Sequence, residues 1–353
     1  MKTGKSFVKT FVLFALVFAL LFCSCSAAKK KASAIAVFVP GVISGSPVYE
    51  MLAMGVTEAV DNYNANQKPE DAVVLDIIEA GTNQAEWGSK ITALASTGKY
   101  DLIISSNSSL PEIIEPLTVQ FPKQKFIVLD AYLPDNKSIA TVRYNQREQG
   151  YLTGYAAGLV TVASKSEMVF ANKEKKIALI AAQEYPVMNN TILPAFTEGA
   201  KAVDPEIEVD FRIVGNWYDA GKSADIAREV YLDGADVILP IAGGANQGVI
   251  VAAKAIGFYV AWFDDNGYEK APGLVISSSV MEQKKMAYEL TEQYLAGKTE
   301  FGTAKTVGVA DGYVDFVLDD PLFVKAVPES IRTKIENTVR SIKNGELVLP
   351  VID

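Results

Sequence analysis

The chain has 353 residues, with 33 Lys and Arg against 42 Asp and Glu, a formal net charge of −9, two Cys and no His. The missing His excludes catalytic triads with a His base and zinc sites built on His, and the two Cys give no framework for thiol chemistry. The acidic balance argues against nucleic-acid partners and against electrostatic adhesion to anionic lipid.

At the start, Lys2, Lys5 and Lys9 precede the apolar run "FVLFALVFALLF" from Phe11 to Phe22. A membrane-spanning helix needs about 20 apolar residues; this run is shorter and has a basic leader, so residues 1–24 read as an export signal. The following "FCSC" (22–25) resembles a bacterial lipobox, with Phe22 where Leu is preferred and Cys25 as the residue to be lipidated. Acyl chains would then supply a stable membrane anchor, and residues 25–33, including "AAKKKAS", form a short solvated tether. Cys23 and Cys25 lie too close in sequence to be read as a disulfide.

From Ala34 onward, β-rich runs alternate with helical patterns. The runs are "AIAVFV", "VVLDII", "DLIIS", "KFIVLD", "KIALIA", "IEVDFRIV", "ADVILPI", "FYVAWF" and "GLVISS". Amphipathic segments lie between them at 84–97, 147–163, 188–203, 222–233 and 246–256. This alternation predicts parallel sheets covered by helices, and the length exceeds one comfortable core, so two α/β domains are expected. In such sheets ligands bind beyond the carboxyl ends of the strands. Two lobes facing each other across those ends make a cleft that closes.

The strand exits carry aromatics, amides and carboxylates: Tyr49, Asn107, Asp130, Tyr132, Tyr185, Trp217, Tyr218 and Asp264. Turns collect Asn, Asp and Gly for local reasons, but that does not explain the aromatics. Ring faces stack on flat ligands and ionised carboxylates accept from hydroxyl and N–H groups. One exit, "IVGNWYDAGKS" (213–223), imitates a phosphate-binding P-loop, yet five residues separate Gly215 from Gly221, one more than the motif's spacing. The adjacent Asp264 and Asp265 invite an acid–base reading, but neighbours on an extended strand point to opposite faces. No enzyme activity, metal or cofactor is expected.

Five segments, "FPKQKFIVLDA" (121–131), "NQREQGYLTGYAAG" (145–158), "FTEGAKAVDPEIEV" (196–209), "IAGGANQGV" (241–249) and "SIKNGELVLP" (341–350), resemble the basic membrane protein family, lipoprotein substrate-binding subunits of ABC importers that include purine nucleoside receptors. The resemblance implies a type I periplasmic-binding fold with two doubly wound α/β lobes, lobe 1 over 34–146 and 279–312 and lobe 2 over 147–278 and 313–353. It implies a monomer, exported and lipid-anchored to a bacterial membrane, that hands a small molecule to an ABC permease. It also implies that Trp217 stacks on the ligand ring, that Asp264 holds a sugar, and that Gly243 and Gly244 form a glycine loop beside it. Two departures stand out. The family's acidic pair followed by Lys/Arg-Ser-Phe-Asn is replaced by "SGSPVYE" (44–50), and a sugar-gripping Lys is replaced near Met281. An aromatic cleft of this kind suits a large flat ring with a polyhydroxyl tail, set between Tyr49 or Tyr132 and Trp217. The pattern resembles what the family's spirochaetal riboflavin-binding branch would need, and that resemblance makes riboflavin the expected transported ligand, with a purine nucleoside as the alternative and an adhesin role as the reading from a different class.

Overall fold

The computed structural model describes residues 33–351. The export signal, Cys25 and the tether up to residue 32 lie outside the described residues. The first sheet is built from β1 (Ala34–Val39), β2 (Val74–Glu79), β3 (Leu102–Ser106), β4 (Lys125–Leu129) and β5 (Ile139–Tyr144). Helices α1 (Pro47–Asn64), α2 (Trp87–Ser96) and α3 (Leu110–Gln120) connect its first four strands. Directly after β5 the chain enters α4 (Gln146–Thr161), which packs on the second sheet. That sheet follows as β6 (Lys176–Ala181), β7 (Glu208–Ile213), β8 (Ala235–Ile241), β9 (Tyr259–Asp264) and β10 (Val275–Met281). Between its strands lie a π-helical turn (Met188–Ile192) running into α5 (Leu193–Val203), then α6 (Ala220–Leu232) and α7 (Asn246–Ile256). The chain returns to the first lobe as α8 (Gln283–Leu295) and β11 (Ala304–Val307), and crosses once more into β12 (Val314–Phe316), α9 (Pro321–Ala326) and α10 (Glu329–Lys343).

Strand order is β2-β1-β3-β4-β5-β11 in one sheet and β7-β6-β8-β9-β10-β12 in the other, so the two lobes repeat one winding. The β10–β12 pairing is antiparallel; the other pairings among the described strands are parallel. Parallel strands are buried on both faces and so read as continuous apolar runs, which is why β1, β6 and β8 coincide with "AIAVFV", "KIALIA" and "ADVILPI" and are buried almost throughout. The lobe boundary read at residue 279 falls inside β10, which stays whole in the second sheet.

One continuous apolar cluster runs from the first lobe through α4 into the second, and a separate cluster including Phe38, Trp87, Ile91 and Phe126 backs the other face of the first sheet. Each lobe seals one tryptophan: Trp87 is buried with its indole N–H on the Gly81 carbonyl, and Trp262 is buried with its indole N–H on Asp265.

The tightest helix contact is α4 on α5. Gly150, Gly154 and Gly158 bring their stripe against the α5 backbone, and a Cβ at Gly154 would fall 1.9 Å from the Phe196 carbonyl oxygen. Backbone cannot step aside as a flexible side chain can. Gly154→Ala is therefore expected to cost about 1–3 kcal/mol of unfolding free energy. Gly88→Ala, where a Cβ meets only Ile113 at 3.7 Å, should change it by less than about 0.5 kcal/mol. Denaturant titration of both variants checks the contrast; equal midpoints would contradict close backbone packing.

Candidate functional site

The carboxyl ends of the parallel strands in both lobes converge, and the site grows from equivalent positions in the two windings. Asp130 follows β4, and Asp264 ends β9, each the fourth strand of its lobe in chain order. Both have left-handed backbones, with φ of 53° and 77°. A non-glycine residue rarely takes this conformation, and Asp is tolerated because its short polar side chain bonds locally. Strain held at such exits costs on the order of 1 kcal/mol and points to a functional constraint.

The two carboxyls feel each other across the lobes. Both keep part of their surface open to the cleft while sitting deep among protein atoms. Burial pushes Asp130 up to about 7. Burial first, and the neighbouring Asp130 charge second, push Asp264 up to about 8. Tyr49 and Tyr185 join them: burial raises Tyr49 to about 12, with the Asn107 amide opposing and the Asp130 charge adding, and burial raises Tyr185, assisted by Asp264, Asp130 and Tyr49. Tyr49 Oη donates to the Pro40 carbonyl at 3.0 Å and accepts from Asn107 Nδ2 at 3.4 Å. Tyr49, Asn107, Asp130, Tyr185 and Asp264 thus share one site.

Trp217 borders it. Its ring centroid lies 6.0 Å from that of Tyr185, tilted by 44°. An Asx turn shapes the Trp217 loop, with Asn216 Oδ1 accepting from the backbone of Tyr218 at 3.0 Å and Asp219 at 2.7 Å. Asp219 then caps α6 through Lys222 N–H at 2.9 Å, so the P-loop look-alike is a capped helix start behind a presented aromatic. Gly243 and Gly244 lie directly against Trp217: a Cβ at Gly243 would sit 3.2 Å from the Trp217 carbonyl oxygen and 3.4 Å from its ring, at a φ of +56° that favours glycine. From the first lobe, a Cβ at Gly45 would lie 3.6 Å from the Gly244 Cα, so loops of the two lobes meet here.

Tyr132 is not brought in. It is exposed, with the Arg143 guanidinium 3.9 Å from its ring centroid. Tyr218 also points outward. Asp265 engages Trp262 and Lys270 rather than sharing a target with Asp264, in keeping with the separation expected of neighbours near a strand end.

Sequence reading missed the floor of the site. Gln146 Nε2 reaches Asp130 Oδ1 at 3.4 Å, and Gln149 Nε2 reaches Asp264 Oδ1 at 3.3 Å. Tyr144, just before α4, is buried, and burial together with Asp130, Tyr313 and Glu282 raises its hydroxyl. The one signal available was the amide-rich "NQREQG" at a helix start.

Comparison with known proteins agrees with this fold. The family model described as "ABC transporter substrate-binding protein PnrA-like" matches residues 32–348. The ABC transporter nucleoside-binding protein BmpA of Lactococcus lactis is 25% identical over 268 residues, covering 71% of each chain. Basic membrane protein D of Borreliella burgdorferi is 26% identical over 330 residues, 91% of this chain and 89% of that protein. Among solved structures, an ABC-transporter solute-binding protein from Aeropyrum pernix superposes with a TM-score of 0.73 at 18% identity, over 91% of this chain and 94% of the other, and shares the two-lobed periplasmic-binding fold. The chain belongs to the PnrA-like family of ABC transporter substrate-binding proteins, components that capture a small molecule for a membrane permease.

Proposed function

We propose that this chain captures a purine nucleoside for its permease. The observation that carries the reading is the meeting, in one interlobe cleft, of a carboxylate from each lobe with the Tyr185–Trp217 ring pair. A flat base with a hydroxyl-bearing sugar suits that set. Its ring takes an aromatic face, and its hydroxyl and N–H donors meet carboxylate acceptors on both sides. The base is read against Trp217 and Tyr185, and the sugar hydroxyls against Asp264. The nucleoside-binding name of the Lactococcus relative supports the same class.

Riboflavin, which the sequence pattern favours, has the same two kinds of group on a larger ring. Of its two first-lobe candidates, Tyr132 lies exposed under Arg143 while Tyr49 stays at the site, and the nucleoside-binding name of the Lactococcus relative favours the smaller ligand. Calorimetric titration of ligand-stripped protein with inosine, guanosine, adenosine and riboflavin tests the choice. Submicromolar binding of at least one nucleoside is the expected result. Heat from riboflavin alone would replace the nucleoside with the flavin, and no heat from any of the four would leave the family standing without this ligand.

A further inference from the structure

The two glutamines beneath the acids are three residues apart on the first turn of α4, a spacing that places them on one face of the helix. This helix begins where the chain leaves the first lobe, and its amides divide between the lobes: Gln146 goes to Asp130 and Gln149 to Asp264. Gln149 is wholly buried. Its amide orientation is fixed by chemistry, because Nε2 also lies 3.1 Å from the Ser279 carbonyl, and a carbonyl only accepts. The nitrogen therefore also faces Asp264. Thr153 lies one turn further on, donating to the Gln149 backbone carbonyl at 2.8 Å while its hydroxyl meets Ser279 Oγ. The amide-to-carboxylate distances are at the long end of the hydrogen-bond range and leave room to shorten when the acids ionise.

Resting on the ligand reading above for its binding consequence, we infer that Gln149 is a positioning residue: its amide nitrogen, pinned by the Ser279 carbonyl, holds one oxygen of Asp264 and leaves the other free to take the ligand's donors. The consequence reaches specificity. An acid held by one donor from behind presents a single fixed acceptor, so the site selects ligands by where their donors fall. Because Gln149 stabilises the ionised form of Asp264, it also sets the pH at which that acceptor becomes available. The other ionisable groups that act on Asp264 are Asp130 from the first lobe and Asp265 beside it, while Tyr185 from the β6 exit faces it and is itself raised by the Asp264 charge. Replacing Gln149 leaves all three in place.

Gln149→Met removes the amide at similar volume, and Gln149→Glu keeps the shape but sets a second acid against Asp264. Carbon-13 titration of the Asp264 carboxyl in ligand-free protein is the direct readout. Its midpoint should rise by about half a pH unit or more in both variants. With whichever nucleoside binds, Gln149→Met should weaken affinity about tenfold near neutral pH and by less than threefold or so in an Asp264→Asn background, as expected when one residue acts through the other. An unmoved Asp264 midpoint, or the same affinity loss with and without Asp264, would reduce Gln149 to a packing residue. If no nucleoside binds at all, the carboxyl titration still decides, so failure of the ligand reading and failure of the positioning role give different results.

Discussion

Trp217→Ala weakens ligand binding by at least about tenfold, roughly 1.4 kcal/mol, with most of the loss in the dissociation rate. The ring lies at the cleft beside Tyr185, held by the Asn216 turn and backed by Gly243. Stacking contributes about 0.5–1.5 kcal/mol beyond burial for an aromatic pair, and truncating a large anchor at a buried contact often costs about 2 kcal/mol or more. Trp217→Phe, which keeps a ring face, should recover much of the loss. Because Trp217 is only partly buried and lies in a loop, the alanine variant should unfold within about 1 kcal/mol of the parent. Unchanged affinity in calorimetry would move the ligand ring away from this loop.

Asp264→Asn has opposite effects on ligand affinity and on ligand-free stability. Above about pH 8, where Asp264 is ionised, affinity should fall about tenfold, since a charge-assisted acceptor is replaced by a neutral amide. Stability responds to pH. In the folded protein Asp264 holds its proton up to about 8, whereas an unfolded aspartate releases it near 3.9 or so. The folded state therefore binds more protons between those limits, and its stability falls as pH rises through the window. Below about pH 4 both states are protonated and nothing is lost. Asparagine cannot ionise, so the variant escapes the loss. It should be more stable than the parent by about 1–2 kcal/mol near pH 8.5 and indistinguishable near pH 4.5, the figure being held well below the full shift because water reaches the cleft. Thermal melts at the two pH values check the prediction. Parallel melts for parent and variant would mean that Asp264 is already well solvated.

Much of the fold is legible because two-faced burial leaves uninterrupted apolar runs, and the same logic gathers strand exits into one place. That is how Asp130, Asp264, Tyr185 and Trp217 stand out from a list of loops. The elements that escape reading are those whose formation depends on partners far along the chain. β11 and β12 are short, carry exposed charged residues, and pair only because the chain crosses between lobes. The segment read as one helix over 188–203 opens with a π turn, where Leu193 N–H reaches back to the Met188 carbonyl and Pro194 has no N–H to offer. Tyr132, two residues beyond the left-handed turn at Asp130, shares an exit with the site but leaves on its outer side. Gln146 and Gln149 mislead in the opposite direction. Amides at a helix start look solvated, and only the crossover from β5 into α4 buries them beneath the acids.

The distribution of the three tryptophans gives the molecule an optical readout of its own. Trp87 and Trp262 are sealed in separate lobes with their indole N–H groups already satisfied, so with ligand at the proposed site their emission should form a constant background. Trp217 alone stands where a ligand would change its surroundings. Intrinsic fluorescence thus divides into two silent emitters and one responsive emitter, and the difference between the parent spectrum and that of Trp217→Ala isolates the cleft without any attached label.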